Sequence, residues 1–220
     1  MESRIHIIVG HYGSGKTEFA INYALRLRQS YKKVYIVDLD IVNPYFRTND
    51  VKQKLEKMGL SVIASPYASS NVDVPSLPSE VHRVFDDKDA AVVFDVGGDD
   101  DGAIALGRYN RYFEAEKPEL LFVINVFRPM TANAPAIHEM IENIETVSRL
   151  KVSGLVNSSN LADLTTIDET VKGQTITEEA SRLTGIPCKY ISVMEELVKD
   201  LPSEYQEKVF SIKRFMGLRF

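Results

Sequence analysis

Short, almost entirely apolar runs alternate along this chain with longer segments in which apolar residues recur at helical spacing. The runs are rich in Val, Ile, Leu and Phe, which is typical of strands that are buried on both faces of a parallel sheet. Strands that alternate with helices in this way predict an α/β fold: a doubly wound, mainly parallel sheet of about seven strands with helices on both faces. The predicted strands are residues 4–9, 33–38, 60–65, 90–96, 119–125, 152–157 and 188–192.

Helical periodicity and end signals predict the segments between the strands. The first helix has one apolar stripe, and another stripe follows a helix start near Pro135. A more polar, Lys-rich helix is predicted over residues 49–58. Thr175 and Glu178 have the spacing of a capping box, which would begin a helix that Gly185 ends. The two stripes consist of Phe19, Ala20, Tyr23, Ala24 and Leu27, and of Ile137, Met140, Ile141, Ile144 and Val147.

Length and composition predict one domain over residues 1–220, because no Pro/Gly/Ser-rich linker divides the chain. The net charge of −5 gives no electrostatic footprint for nucleic acid. Cys188 is the single cysteine and the four histidines are scattered, so neither a disulfide framework nor a zinc site is expected. No apolar run approaches 18 residues and a strand begins almost at once, so we expect a cytoplasmic protein without a signal peptide or membrane span.

The most specific motif lies directly after the first predicted strand. Residues 10–17 match the pattern G-x-x-x-x-G-K-[ST] at every fixed position, and we call them the phosphate loop. Glycines let successive backbone N–H groups point inward at phosphate oxygens, while Lys16 would reach the β- and γ-phosphates and Thr17 would ligate Mg²⁺. The predicted nucleotide-binding residues of this loop are Gly10, His11, Tyr12, Gly13, Ser14, Gly15, Lys16 and Thr17.

Acidic residues end two other predicted strands. Asp38 and Asp40 alternate, so both would project to the side where Mg²⁺ is expected. Asp95 follows an apolar strand and begins a D-x-x-G element, in which Asp95 would face Mg²⁺ and the Gly98 N–H would sense the γ-phosphate. Irregular loops are predicted over residues 40–48 and 97–107, with the acidic run at residues 99–101 taken as a solvated loop. Both loops would lie beside the phosphate loop, at the carboxyl ends of the strands.

These motifs resemble those of the MinD/ParA/CobQ group of P-loop ATPases, in which a phosphate loop is followed by D-x-D and then D-x-x-G. The resemblance implies that Lys16 and Thr17 bind phosphate and Mg²⁺, that Asp38 and Asp95 arrange Mg²⁺ and its waters, and that Asp40 positions the attacking water. It also implies that Asn157, at the end of a predicted strand, reads the base. No N-K-x-D guanine-reading pattern occurs, so ATP with Mg²⁺ is the expected ligand.

One position departs from the family pattern. ParA-type members carry a second lysine after the first glycine of the loop, which reaches the partner's site across a homodimer; here that residue is His11. The departure implies slow hydrolysis, another cation such as Arg47 or Arg128, or a different branch of the family.

Three functions therefore remain open: a slow ATPase that acts as a dimeric switch, an ATP-dependent small-molecule enzyme, and an ATP-gated module that does not hydrolyse. The enzyme would resemble the CobQ and dethiobiotin synthetase group or a kinase in which Asp40 is the base. Residues 45–47 and 67–70 would then hold an acceptor, or present a switch to a protein partner. The C-terminal residues 207–220 are predicted to form a final helix packed on the sheet, rather than a membrane-targeting helix.

Overall fold

The described strands form one parallel sheet. A computed structural model describes residues 3–39, 52–64, 80–97 and 100–215. Eight strands in the order β3-β2-β4-β1-β5-β6-β7-β8 pair in parallel throughout. They are β1 (Ile5–Val9), β2 (Val34–Asp38), β3 (Leu60–Ala64), β4 (Ala91–Asp95), β5 (Glu119–Ile124), β6 (Gly154–Asn157), β7 (Cys188–Met194) and β8 (Val209–Ile212). All seven predicted strands are confirmed, each within two residues at either end.

Helices cover both faces, as predicted. The α-helices are α1 (Lys16–Leu27), α2 (Lys52–Lys57), α3 (Glu80–Asp86), α4 (Asp100–Arg108), α5 (Asn110–Glu116), α6 (Ala134–Ser148) and α7 (Ile167–Thr184). Four 3₁₀ helices complete the described elements: Pro129–Thr131, Ala162–Leu164, Glu195–Asp200 and Ser203–Lys208. One apolar core joins the sheet to α3 through α7, a second joins it to α1 and α2, and a smaller one packs Leu201 on β7. The two predicted stripes face these cores, with Phe19 and Ile137 fully buried.

The order of the strands places a crevice beside β1. From β1 the chain builds β2, β3 and β4 on one side and then β5 to β8 on the other, so the direction of winding reverses at β1. In sheets of this kind ligands bind outside the carboxyl ends of the strands at the reversal. The phosphate loop leaves β1 at this point. Among the described residues, no helix is long and apolar enough to cross a membrane.

Three sequence-based predictions need correction. Residues 100–108 form α4 rather than a loop; Gly102 permits the close approach, since a Cβ there would lie 2.2 Å from the Gly97 carbonyl oxygen. Helix α7 begins at Ile167, where Thr166 and Glu169 make the capping box, although it does end at Gly185 as predicted. Residues 209–212 are strand β8, paired with β7, and not part of a final helix.

The Lys-rich helix is described only in part. Its described part, α2, covers Lys52–Lys57 and is followed by Gly59 with a left-handed φ of 88°. The predicted residues 49–51 lie outside the described residues.

A partly buried polar cluster lies between α1 and the sheet, away from the phosphate loop. The Glu119 carboxylate accepts hydrogen bonds from His6 Nδ1 (2.8 Å), the Tyr23 hydroxyl (3.0 Å) and Lys189 Nζ (2.5 Å). Burial by itself raises the pKa of Glu119, but the bonds from His6 and Lys189 outweigh it and hold that pKa at about 2. Burial and the nearby Glu119 charge raise the pKa of Tyr23.

The cluster predicts a specific acid sensitivity. Because the pKa of Glu119 is lower in the folded chain than its ordinary value of 4.5, its contribution to stability is complete above pH 4.5 and is lost as the pH falls toward 2. After discounting for solvent screening, we expect about 1–2 kcal/mol. Urea unfolding between pH 5 and 2.5 should show this loss in wild type and in a Glu139→Gln control, but a shallower pH dependence in Glu119→Gln. Equal slopes in all three proteins would contradict the assignment.

Candidate functional site

The glycines of the phosphate loop permit its backbone conformation. Gly13 and Gly15 have φ values of 73° and 86°, in the left-handed region that favours glycine, and the Ser14 N–H donates to the His11 carbonyl oxygen at 3.0 Å. Gly15 is the N-cap of α1 and supplies no side-chain cap. The first N–H groups of a helix lack intrahelical acceptors, so the start of α1 is suited to an anion.

Gly10 holds the loop close to the neighbouring strand. A Cβ at Gly10 would lie only 2.4 Å from the Val123 carbonyl oxygen of β5 and 2.9 Å from the Ser14 hydroxyl. The backbone of the loop therefore packs directly on β5, in a space that admits no side chain.

Lys16 and Thr17 face a cavity of about 310 Å³. Both residues are buried, with 6% and 4% of their surface exposed, and both line the cavity together with Gly13 and Gly15. With Tyr12, the structure thus brings five predicted loop residues to one concave space, where an ammonium, a hydroxyl and a helix start meet. This donor set fits a phosphate chain with a bound Mg²⁺.

Tyr12 and His11 lie nearer the surface. Tyr12 also lines the cavity but has 45% of its surface exposed. His11 is half-buried, and its Nδ1 donates to the Tyr12 carbonyl oxygen at 3.0 Å.

Arg128, a candidate second cation, lies over the loop of its own chain. It follows β5, lines the cavity and donates from Nε to the Gly13 carbonyl oxygen at 3.1 Å. Arg47, the other candidate cation, lies outside the described residues.

Asn125, which was predicted only to end a strand, positions two loops. It is fully buried directly after β5. Its Nδ2 donates to the carbonyl oxygens of Gly13 (3.3 Å) and Asn160 (3.1 Å), and its Oδ1 accepts from the Phe127 N–H (3.1 Å). One amide therefore joins the phosphate loop to the loop that follows β6. In the sequence, the sign of this role is a polar residue at the end of an apolar run.

The two carboxylates assigned to Mg²⁺ are adjacent in the sheet. Asp38 ends β2 and Asp95 ends β4, and the two are direct register partners. Both are buried, with 5% and 0% of their surface exposed. The Leu39 N–H donates to the Asp95 carbonyl oxygen at 2.8 Å, which ties the two strand ends together. Within the described part of the chain, no group of three His, Cys, Asp or Glu side chains is arranged to hold a metal ion.

Two predicted site residues, Asp40 and Gly98, lie outside the described residues. Their assigned roles stay predictions.

The Asn157 amide is engaged inside the protein. Asn157 is fully buried at the end of β6; its Nδ2 donates to the Thr170 carbonyl oxygen (2.9 Å) and to Gln174 Oε1 (3.4 Å), and its Oδ1 accepts from the Ser159 N–H (3.0 Å). An amide with these partners holds the loop after β6 to α7. Its predicted role as a base reader would require some of these bonds to break, at roughly 1–3 kcal/mol for each group left unsatisfied.

The last strands and the segments after them also line the cavity. Ser158 and Asn160 line it from the loop after β6, close to the phosphate loop: a Cβ at Gly15 would lie 2.9 Å from the Ser158 hydroxyl oxygen. Met194 lines the cavity from β7, and Ile212 and Arg214 line it from β8 and the residues that follow. The cavity therefore runs from the phosphate loop to a wall made by the C-terminal part of the chain.

Solved structures with this fold are known. FtsY, a cell division protein of Thermotoga maritima, has a TM-score of 0.57 and 20% identity over 96% of this chain and 64% of its own. The signal recognition particle receptor FtsY of Elizabethkingia anophelis has a TM-score of 0.54 and 20% identity over 90% and 61%. A nucleotide-binding protein of Archaeoglobus fulgidus, in complex with ADP, has a TM-score of 0.50 and 17% identity over 94% and 87%.

The likeness is one of fold. The chain spans somewhat less than two thirds of the length of the two FtsY chains. No protein-family model matches the sequence, and no curated protein matches it. The chain has the α/β fold of P-loop nucleoside triphosphatases, with its phosphate loop at the point where the winding of the sheet reverses.

Proposed function

We propose that this protein binds Mg·ATP, hydrolyses it slowly and acts as a nucleotide-dependent dimeric switch. The observation that carries the proposal is the uncapped start of α1, where buried Lys16 and Thr17 line a cavity beside the left-handed glycines of the phosphate loop. A phosphate chain would occupy the helix start, and Lys16 would neutralise its charge.

The chemistry of hydrolysis is assigned to a few residues. Thr17 would ligate Mg²⁺, and the adjacent carboxylates of Asp38 and Asp95 would hold its waters. Asp40 would position the attacking water, and the Gly98 N–H would sense the γ-phosphate; these two assignments rest on the sequence motifs. Mg²⁺, when bound, would stabilise the charge that develops on the transferring phosphoryl group.

We propose ATP rather than GTP. Support comes from the lack of an N-K-x-D pattern in the sequence and from the ADP found in the A. fulgidus protein of the same fold. Since the Asn157 amide is engaged within the protein, the proposed base contacts come from the far wall of the cavity instead.

The proposed dimer rests on the resemblance of the motif order to that of the MinD/ParA group, and on the surface around the cavity. Large apolar side chains are exposed in loops that follow β1, β5 and β6, namely Tyr12, Met130 and Leu164, the last with 78% of its surface exposed. A second copy of the chain is the proposed partner for this surface, because a symmetric contact would bury the same patch twice.

The rate of ATP hydrolysis per chain tests the proposed function. We expect it to rise with protein concentration, and we expect His11→Lys to raise it further, since a full positive charge would meet the developing phosphate charge in the partner's site. An increase of about 10-fold or more is expected from a trans cation. His138→Lys, which changes a histidine on α6, is the matched control.

The opposite outcome would favour a different function. A rate that is independent of concentration and is not raised by His11→Lys would reject the dimeric switch. Stimulation by a carboxylate or hydroxyl acceptor would then indicate an ATP-dependent small-molecule enzyme, and tight ATP binding without any turnover would indicate a non-hydrolysing module.

A further inference from the structure

The residues after β8 are bound to the helix that begins at the phosphate loop. Asn22 of α1 donates from Nδ2 to the Lys213 carbonyl oxygen (2.8 Å) and accepts the Lys213 N–H at Oδ1 (2.9 Å). Glu18 accepts the Phe215 N–H, at 3.0 and 2.9 Å from its two carboxylate oxygens. Glu18 and Asn22 are one helical turn apart, so they hold two alternate residues of the C-terminal segment, residues 212–215.

The same C-terminal segment forms a wall of the cavity. Ile212 and Arg214, which alternate with the two held residues, both line the cavity. Arg214 also makes an ion pair with Asp163 of the 3₁₀ helix in the loop after β6. The C-terminal segment is therefore joined to that loop by an ion pair and to α1 by the bonds of Asn22 and Glu18.

The first turn of α1 contacts both the phosphate site and the C-terminal segment. Thr17 lines the phosphate end, and the next residue, Glu18, lines the cavity and also holds the Phe215 N–H. A ligand that reaches from the phosphate loop to the far wall would contact the C-terminal segment and stabilise its docking. By thermodynamic linkage, docking of the C-terminal segment must then favour that ligand by the same factor.

We infer that Asn22 and Glu18 are positioning residues which dock the C-terminal segment as the wall of the nucleoside end of the site, so that docking and nucleotide binding are coupled. The inference rests on the proposed function. It adds that the docking of the C-terminal segment depends on whether a nucleotide is bound. The coupling applies to ligands that carry a nucleoside and not to the phosphate chain alone.

The first test compares two ligands that share a phosphate chain. Asn22→Ala should weaken Mg·ATP binding on the order of 5- to 50-fold, because two hydrogen bonds that hold the wall are lost. The affinity for inorganic tripolyphosphate with Mg²⁺ should stay within about 2-fold of wild type. Asn110→Ala is the matched control, since Asn110 also donates to backbone carbonyl oxygens, those of Ser148 and Arg149. It should change neither affinity.

The second test uses the wild-type chain and needs no variant. Hydrogen exchange at the amides of Lys213 and Phe215 should slow about 5-fold or more when Mg·ATP binds, and should not change with tripolyphosphate. The inference would be overturned if Asn22→Ala lowered the affinity for both ligands equally, or for neither. It would also be overturned if Mg·ATP did not slow hydrogen exchange at Lys213 and Phe215. Failure of the wild-type chain to bind either ligand would instead refute the proposed function.

Discussion

Substitution of Lys16 by alanine should abolish measurable binding of Mg·ATP, with a loss of affinity of about 100-fold or more. Lys16 is the cation that the phosphate loop places in the cavity, and charge-assisted hydrogen bonds to two phosphates would each contribute about 1.5–3 kcal/mol. The fold should survive, because Lys16 faces the cavity and the apolar cores do not depend on it. Calorimetric titration measures the affinity, and thermal unfolding measures the fold.

Lys32→Ala is the control for this prediction. Lys32 is exposed just before β2, at the edge of the sheet opposite the phosphate loop, so its loss also removes one positive charge. ATP affinity in this variant should match wild type. Unchanged affinity in Lys16→Ala would refute the assignment of the phosphate loop.

A methyl group at Gly10 should disrupt the site by a steric route. In Gly10→Ala the new Cβ would meet the Val123 carbonyl oxygen at 2.4 Å, a distance that forces the loop away from β5. Displacement of a packed backbone costs roughly 1–3 kcal/mol of stability, and we expect ATP affinity to fall by about 10-fold or more because the loop N–H groups lose their alignment. Chemical denaturation and calorimetry measure the two effects.

Gly185→Ala separates backbone strain from damage to the site. Gly185 has a left-handed φ of 74° at the end of α7, but a Cβ there meets no atom within 4 Å among the described residues. This variant should lose about 1–2 kcal/mol of stability and none of its ATP affinity. Equal affinity losses in both glycine variants would contradict the steric account of Gly10.

The parallel strands and the phosphate loop were predictable because their signals are local. Strands buried on both faces have continuous apolar runs, and the loop needs glycines at fixed positions. Strand β8 lacks such a run. Among the described strands it has one sheet neighbour, β7, and its buried positions alternate with more exposed ones over only four residues. Val209 and Ile212 are also three residues apart, a spacing that helices share, so the same residues suggested a final helix.

The start of α7 was mispredicted because its sequence contains two capping patterns. Thr166 with Glu169 and Thr175 with Glu178 have the same spacing. In the structure the first pair caps the helix, whereas the Thr175 hydroxyl donates to the Val171 carbonyl oxygen within it, at 3.2 Å. Local sequence does not decide between the two pairs, because a helix continues through a weak start signal once it has formed.

The backbone of the candidate site was predictable from the sequence, whereas the roles of its two buried asparagine side chains were less so. Asn125 and Asn157 both end apolar strands, and the sequence gives no sign of which one faces a ligand. The structure shows that both amides join loops: Asn125 connects the phosphate loop to the loop after β6, and Asn157 connects that loop to α7. Their roles depend on contacts between residues distant in sequence, which strand-end position alone does not determine.

Titration of the wild-type chain with Mg·ATP, followed by competition with Mg·GTP, tests the central claim most directly. We expect saturable binding of one ATP per chain that depends on Mg²⁺, with weaker binding of GTP. An absence of binding to either nucleotide would contradict the claim that residues 10–17 form a phosphate site. Tighter binding of GTP would keep that site and refute the assignment of ATP.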